Sequence, residues 1–250
     1  MERNEGEGRV ALSERLRMLA DMVAPGSRLV DVGCDHGFLS IYLVQAGICP
    51  SALAMDVRRG PLSGAKRHVE EYGLGDYIAL RMSDGLAAYR AGEADALVCA
   101  GMGGRLMERI LREGMDQARS LRELILQPQS ELPRFRAFLR EAGFLVTEEA
   151  AVCEEGKYYF AMKARPGAEG TCGSAGDGAE RTWLYDLFGE HLLEQRHPVL
   201  LSYLRQRGRY LRGLAASLEE ADSQRAGGRS EEVRQELAWI EEALAYYRRE

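Results

Sequence analysis

The chain has 250 residues, of which 46% are hydrophobic and 29% are charged, and its formal net charge is -6. This composition excludes a disordered chain, a collagen and a small disulfide scaffold, and the length predicts one domain of ordinary size with a smaller companion. The acidic balance argues against a protein that binds polyanions over its whole surface.

Short apolar runs alternate with amphipathic stretches over the first two thirds of the chain. This alternation predicts strands at 28–33, 52–57, 78–82, 95–100 and 123–127, with helices at 37–47, 61–73, 103–114 and 132–142. Two adjacent strands, 146–153 and 157–164, follow and are joined by Glu154, Glu155 and Gly156. We therefore predict an α/β fold with a doubly wound, mostly parallel, seven-stranded sheet and one antiparallel edge.

The segment 166–180 is rich in glycine and has almost no large apolar side chain, so we predict a linker between a domain at 1–165 and a helical domain at 181–250. Apolar residues recur there with heptad spacing, in one stripe from Leu201 to Leu218 and another from Val233 to Tyr247. The stripes predict an antiparallel coiled-coil hairpin with Gly227 and Gly228 in its connection. Two helices packed on each other and a dimerising coiled coil both satisfy this pattern, so we expect a monomer or a weak dimer.

The first predicted strand leads into the turn Asp31-Val32-Gly33-Cys34-Asp35-His36-Gly37. In an open parallel sheet, ligands bind at this position, beyond the carboxyl end of the strand. Asp35 stands where a dinucleotide-binding turn has its middle glycine, and a carboxylate there repels a pyrophosphate. The turn therefore disfavours a nicotinamide dehydrogenase and suits a ligand with a cationic amino-acid end.

Acidic and glycine residues also follow the next three predicted strands. Asp56 ends the second strand, Asp84 and Gly85 follow the third, and a glycine-rich turn, Ala100 to Gly104, follows the fourth. Each residue taken singly is consistent with an ordinary cap or turn. Their order along the chain is typical of class I methyltransferases that use S-adenosylmethionine, which have a Rossmann-like fold.

Several short segments resemble one family. LSERL (12–16), DVGCDHGFLS (31–40), RGP (59–61), SDGL (83–86), AGMGG (100–104) and LILQP (124–128) resemble bacterial tRNA adenine N1-methyltransferases, which modify adenine 22 in the D-arm. The resemblance covers about 12–165, and the helical tail fits the coiled-coil domain of that family. It implies that S-adenosylmethionine is bound by Asp31, Gly33, Asp35, Gly37, Asp56, Asp84, Gly85, Ala100, Gly101, Met102, Gly103 and Gly104.

Adenine N1 has an in-plane lone pair, so the enzyme must chiefly position it, and the methylated product is cationic. We therefore predict Asp35 as the catalytic carboxylate that stabilises this charge. His36 is the second candidate, for which substrate contact and a turn hydrogen bond fit equally well. The turn after the fourth strand lacks the Asn/Asp-Pro-Pro-Tyr pattern of amino-group methyltransferases, which favours a ring nitrogen as the target.

A basic stretch near the start of the helical tail is the candidate RNA surface. It has two interleaved tyrosines and no acidic residue, and its arginines are Arg196, Arg205, Arg207, Arg209 and Arg212. Arg15 is a weaker candidate at the mouth of the active site. A solvated helix face explains the same stretch without RNA.

Other functions and the surroundings of the protein follow from what the sequence lacks. A methyltransferase for another RNA base or a small molecule, and a non-catalytic protein that binds cofactor or RNA, stay open as alternatives. Five widely spaced cysteines without a CxxC pair predict reduced thiols and no metal site. No signal peptide and no membrane span are expected, so we predict a cytoplasmic protein.

Overall fold

The computed structural model describes residues 8–167, 182–220 and 226–248. The chain divides into two compact units, 1–174 and 175–250. The predicted linker, 166–180, lies outside the described residues except for its first two positions.

The first unit is built on a seven-stranded sheet in the order β3-β2-β1-β4-β5-β7-β6. Its strands are β1 (Leu29–Val32), β2 (Ala52–Asp56), β3 (Ile78–Met82), β4 (Ala96–Met102), β5 (Glu123–Pro128), β6 (Phe144–Glu154) and β7 (Lys157–Pro166). Its helices are α1 (Glu14–Met22), α2 (Phe38–Gln45), α3 (Arg59–Glu71), α4 (Gly104–Glu113), α5 (Met115–Arg119) and α6 (Leu132–Glu141). The doubly wound α/β fold is thus confirmed.

The first five strands pair in parallel, and β7 pairs antiparallel with both β5 and β6. The later strand of the terminal hairpin is therefore inserted inside the sheet, and β6 forms its edge. The hairpin follows from the local sequence, because the two residues between the strands, Glu155 and Gly156, cannot connect parallel strands. Its insertion with β7 inward depends on packing: Ala161, Met162 and Ala164 are fully buried beside β5.

Helices cover both faces of the sheet, and alternate residues of the central strands serve the two faces. Val30 and Leu97 belong to the apolar cluster that includes Met107 of α4 and Phe135 of α6. Their neighbours along the strands belong to a second cluster with α1, α2 and α3. Burial on both faces explains why these strands have continuous apolar sequences.

Helix α1, which begins after Ser13, was not predicted from the sequence. The Ser13 hydroxyl accepts a hydrogen bond from the Leu16 N–H at 3.3 Å, so Ser13 is the N-cap. A capping serine before a short apolar stripe is a signal for a helix start. The missed helix matters for the site because it carries Arg15.

The second unit contains α7 (Thr182–Phe188), α8 (Glu190–Glu194), α9 (Pro198–Glu220) and α10 (Ala226–Ala245). A Cβ built on Gly208 would lie 3.4 Å from Ile240, and the Tyr247 hydroxyl donates to the His197 carbonyl at 2.9 Å. The later residue Gly208 of α9 thus faces the earlier residue Ile240 of α10, and the earlier His197 faces the later Tyr247. The two helices are therefore antiparallel. The predicted hairpin is confirmed, whereas its coiled-coil geometry and dimerisation stay predictions.

The predicted position of the glycine pair is wrong. Gly227 and Gly228 lie in the first turn of α10. Glycine lowers helix stability by about 1 kcal/mol relative to alanine, which is a weak preference. Downstream packing outweighs it, because Val233 and Ile240 are buried.

Candidate active site

A cavity of about 560 Å³ opens at the carboxyl ends of β1, β2 and β4. The connection after β1 leads to β2 on one side and the connection after β4 leads to β5 on the other, which creates a crevice between β1 and β4. The cavity brings together most of the predicted site residues: Arg15, Asp31, Gly33, Asp35, His36, Asp56, Asp84, Gly85, Ala100, Gly101 and Met102.

The turn after β1 is held in a shape that requires left-handed backbone. Gly33, Asp35 and Gly37 have φ values of 78°, 51° and 75°. The N–H groups of Gly33 and Cys34 both donate to the Met55 carbonyl, at 2.8 and 3.0 Å. The φ at Gly33 favours glycine, and a Cβ there would also displace the terminal methyl group of Met102.

Asp31 is a buried carboxylate beneath this turn. Its Oδ2 accepts a hydrogen bond from the Ser40 hydroxyl at 2.8 Å. Burial, with a smaller contribution from the nearby carboxylates of Asp56 and Asp35, raises the pKa of Asp31 to about 6, although the Ser40 hydrogen bond lowers it. A buried charge beside two like charges is stabilised by a cationic ligand.

The Cys34 thiol also borders the cavity, but its surroundings make it unreactive. Burial and the Asp31 carboxylate raise the pKa of Cys34 far above its usual value. Since the thiolate is the nucleophilic form of cysteine, we assign no nucleophilic role to Cys34.

Asp56 lies at the end of β2 with 5% of its surface exposed. Its Oδ1 accepts a hydrogen bond from the Arg58 N–H at 2.8 Å, and the Arg58 Nε lies 3.7 Å from the same oxygen. The carboxylate is therefore fixed where β2 meets the cavity. A fixed acceptor at this position suits the hydroxyl groups of a ribose.

Asp84 has a partner that the sequence analysis missed. Arg109 of α4 donates to both Asp84 oxygens, at 3.0 and 3.3 Å, and also lines the cavity. The pair is half exposed, so it contributes little to stability. No local signal identifies it, because the two residues belong to different connections of the sheet.

Arg15 and two glutamines meet Gly101 at the other end of the cavity. The buried Gln127 Oε1 accepts hydrogen bonds from Arg15 Nη1 at 3.2 Å and from the Gly101 N–H at 3.3 Å. Gln129 follows directly after β5 and lines the cavity. Arg15 thus borders the cavity, and neither glutamine was among the predicted site residues.

Three predicted glycines are not among the residues that border the cavity. A Cβ on Gly37 would lie 3.2 Å from Ala65 Cβ, and one on Gly104 would lie 2.5 Å from the Ser130 carbonyl oxygen. Gly103 is the N-cap of α4. These glycines allow α2 and α4 to begin close to neighbouring elements, and so shape the two turns that border the cavity.

His36 lies at the exposed rim, with its Nε2 3.8 Å from Asp35 Oδ1. Its carbonyl contacts His68 Nδ1 at 3.0 Å, and the His68 ring stacks on Phe38 with centroids 4.6 Å apart. Phe38 borders the cavity. The Tyr42 ring lies beneath the Arg17 guanidinium, whose Cζ is 5.1 Å from the centroid of the Tyr42 ring.

The predicted basic stretch belongs to the second unit, and its arginines differ in their surroundings. Arg205, Arg209 and Arg212 line a cleft of about 510 Å³ together with apolar residues of α9 and Leu244. Arg207 instead pairs with Glu236 of α10, at 2.7 and 3.0 Å. Arg196 precedes α9 and is exposed, with a φ of 53°.

The described residues, 8–167, 182–220 and 226–248, contain neither a group of metal ligands nor a membrane-spanning helix. In these ranges no three His, Cys, Asp or Glu side chains are grouped so that they could hold a metal ion. The same ranges contain no helix that is both long enough and apolar enough to cross a membrane.

Comparisons with known proteins agree with this geometry. A family model described as a methyltransferase domain matches residues 12–162. The tRNA (adenine(22)-N(1))-methyltransferase of Bacillus subtilis (strain 168) is 30% identical over 242 residues, which cover 93% of this chain and 97% of that protein.

Solved structures extend the similarity to the second unit. The B. subtilis M1A22 tRNA methyltransferase TrmK is 30% identical, covers 94% of this chain with 99% of its own, and has a TM-score of 0.80. The Streptococcus pneumoniae protein Sp1610, a putative tRNA (m1A22) methyltransferase solved in complex with S-adenosyl-L-methionine, is 32% identical, with 94% and 100% coverage and a TM-score of 0.76. The chain therefore belongs to the family of bacterial tRNA (adenine(22)-N(1))-methyltransferases.

Proposed function

We propose that this protein transfers a methyl group from S-adenosylmethionine to N1 of adenine 22 in tRNA. The observation that carries the proposal is the convergence of Asp31, Asp35 and Asp56 with Gly33 on one cavity at the switch point of the sheet. S-adenosylmethionine bears two cationic groups, an ammonium and a sulfonium, and this acidic cavity fits both charges. The related B. subtilis enzyme carries the same activity in its name.

The lining residues divide the cavity by chemistry. Asp31, Gly33 and Asp35 would hold the amino-acid end of the cofactor, and Asp56 would accept hydrogen bonds from its ribose. Asp84 and Gly85 would border its adenine. The bulged turn at the end of β4, formed by Ala100, Gly101 and Met102, would border the methyl group, while Gly37, Gly103 and Gly104 support the adjoining backbone. When bound, the cofactor supplies an electrophilic methyl group.

We assign the catalytic contribution to Asp35. Its carboxylate borders the cavity and is exposed, so it remains available to substrate. The acceptor nitrogen needs no prior loss of a proton, so the task of the protein is to orient it and to stabilise the positive charge of the methylated base. His36, 3.8 Å from Asp35, is the second candidate for contact with this base.

The substrate base must leave its pairing or tertiary contacts, which costs a few kcal/mol. We assign part of the compensating tRNA contact to Arg205, Arg209 and Arg212, whose shared cleft suits backbone phosphates. Arg207 contributes less, since Glu236 already neutralises its charge. Arg15, the weaker candidate, would contact the nucleotide at the cavity mouth, and the exposed Arg196 would add a further tRNA contact.

The proposal places the protein in the cytoplasm, with tRNA, as a monomer or weak dimer. Its direct test is mass spectrometry of nucleosides from tRNA incubated with the protein and S-adenosylmethionine. N1-methyladenosine should form, and a reverse-transcription stop should map it to position 22. A methylated small molecule from a metabolite extract, with no modified tRNA, would favour the alternative of a small-molecule methyltransferase.

A further inference from the structure

We infer that Gln129 selects adenine as the acceptor base by pairing with N6 and N7 on its Hoogsteen edge, which leaves N1 free to accept the methyl group. This inference rests on the proposed function and adds a specificity residue to it. It assigns the part of the cavity next to Gly101 to the acceptor base.

The backbone of Gln129 is fixed beside the turn that would border the methyl group. Strands β4 and β5 pair in parallel, with Met102 opposite Pro128. The Gln129 N–H donates to the Met102 carbonyl at 2.8 Å. Gln129 Nε2 lies 3.9 Å from the position of a Cβ built on Gly101. An acceptor base at this turn would therefore be within reach of the amide.

The side-chain amide of Gln129 is available for a ligand. It is exposed and borders the cavity, and it makes no hydrogen bond to any residue in the described part of the chain. The side chain of Gln127, by contrast, is buried and engaged: it is 1% exposed, and its Oε1 accepts hydrogen bonds from both Arg15 and Gly101. Two glutamines on either side of Pro128 thus have separate tasks, one structural and one free to bind.

The chemistry of the edge identifies the base. Adenine presents a donor at N6 and an acceptor at N7, and a glutamine amide matches this pair with its oxygen and nitrogen. Guanine presents two acceptors, O6 and N7, which the amide cannot match. Arg15 has only donors, which suit guanine, but it is held by Gln127. Recognition of adenine at this end therefore falls to Gln129.

The surrounding surface also suits a purine. Leu106 of α4 borders the same cavity and exposes 40% of its surface, although it is a large apolar residue. A base ring that covers Leu106 would remove this apolar surface from water. The amide would then give the edge contact and Leu106 the face contact.

The test combines two Gln129 variants with two substrates. The substrates are tRNA with adenosine at position 22 and the same tRNA with 7-deazaadenosine there, which lacks N7. Wild-type protein should lose about 2- to 13-fold in kcat/KM on the deaza substrate, which lacks one of the two hydrogen bonds. Gln129→Ala, which lacks both, should lose about 5- to 150-fold on the normal substrate and little more on the deaza substrate.

Gln129→Glu sharpens the comparison, because it keeps an acceptor for N6 and loses the donor for N7. It should therefore respond to loss of N7 much less than the wild type. Gln235→Ala, which removes an exposed glutamine of α10, is the matched control and should leave both values unchanged. Cofactor affinity, measured by calorimetry, should be the same for all variants.

Two results would overturn the inference. In the first, the change from adenosine to 7-deazaadenosine lowers kcat/KM of Gln129→Ala by the same factor as it lowers kcat/KM of the wild type. The substitution and the loss of N7 would then act independently. In the second, Gln129→Ala methylates normal tRNA as well as the wild type. If wild-type protein forms no N1-methyladenosine at all, the proposed function itself fails, which is a distinguishable outcome.

Discussion

Replacing Asp31 with asparagine should stabilise the cofactor-free protein increasingly as the pH rises. Burial raises the pKa of Asp31 from 3.8 to about 6. Between pH 3.8 and 6 the folded protein keeps the Asp31 proton, whereas the unfolded chain releases it. The protonated carboxyl therefore contributes to the free energy of unfolding at low pH, and this contribution is lost as the pH rises through 6. Each pKa unit corresponds to about 1.4 kcal/mol, so the whole effect is about 3 kcal/mol.

About 1.4 kcal/mol of this contribution is lost between pH 5 and pH 8, because most of the remainder is lost below pH 5. Asparagine has no charge to titrate, and its oxygen can still accept the Ser40 hydroxyl. The Tm of the variant minus that of the wild type should therefore rise by about 3–6 °C from pH 5 to pH 8. If the hydrogens of the new asparagine amide find no acceptor, the Tm of the variant falls by a similar amount at every pH, and the rise of the difference with pH is unchanged.

The assay is thermal unfolding across this pH range, with and without S-adenosylmethionine. The other carboxylates titrate in both proteins, so the difference in Tm isolates Asp31. Added cofactor should stabilise the wild type more than Asp31→Asn, because the variant lacks the charge that faces a cation. A difference that is flat or falling with pH would refute the assignment of a buried, titrating carboxylate.

Three further predictions concern the cavity and the basic cleft. Gly33→Ala should weaken cofactor binding in calorimetry, because alanine is strained in the left-handed turn and its Cβ would displace the Met102 methyl group. Asp35→Asn should lower the single-turnover methylation rate about 30- to 1,000-fold with tRNA affinity nearly unchanged, and asparagine tolerates the φ of 51°. The double variant Arg205→Gln/Arg209→Gln should reduce the slope of log affinity for tRNA against log salt by about 1.5.

Each of these measurements has a control or an opposing outcome. A Gly33→Ala protein that binds cofactor as tightly as the wild type would show that the turn tolerates alanine and that Met102 moves aside easily. An unchanged rate for Asp35→Asn would remove Asp35 from the catalytic machinery. Arg229→Gln, an exposed arginine of α10 that pairs with Glu232, should leave the salt slope intact. If the double variant also leaves it intact, the arginines of α9 only face solvent.

Much of the fold was predictable because its signals are local. The central strands are short apolar runs whose two faces are both buried, and the confirmed hairpin of α9 and α10 follows from heptad spacing. Helix α1 was missed because its nine residues contain only a short apolar stripe after Ser13. The predicted location of Gly227 and Gly228 in the connection was wrong, because the weak preference of glycine against helix was outweighed by packing of α10.

The sequence by itself determined where the strands end and which acidic and glycine residues follow them, since burial periodicity and turn conformation depend on neighbours along the chain. Only the tertiary structure decided which distant side chains meet. Two contacts join residues far apart in the sequence, namely Arg109 with Asp84 and Arg15 with Gln127. The amide of Gln129 likewise borders a cavity that several elements form together. No local pattern encodes such contacts, because they depend on the order of strands in the sheet.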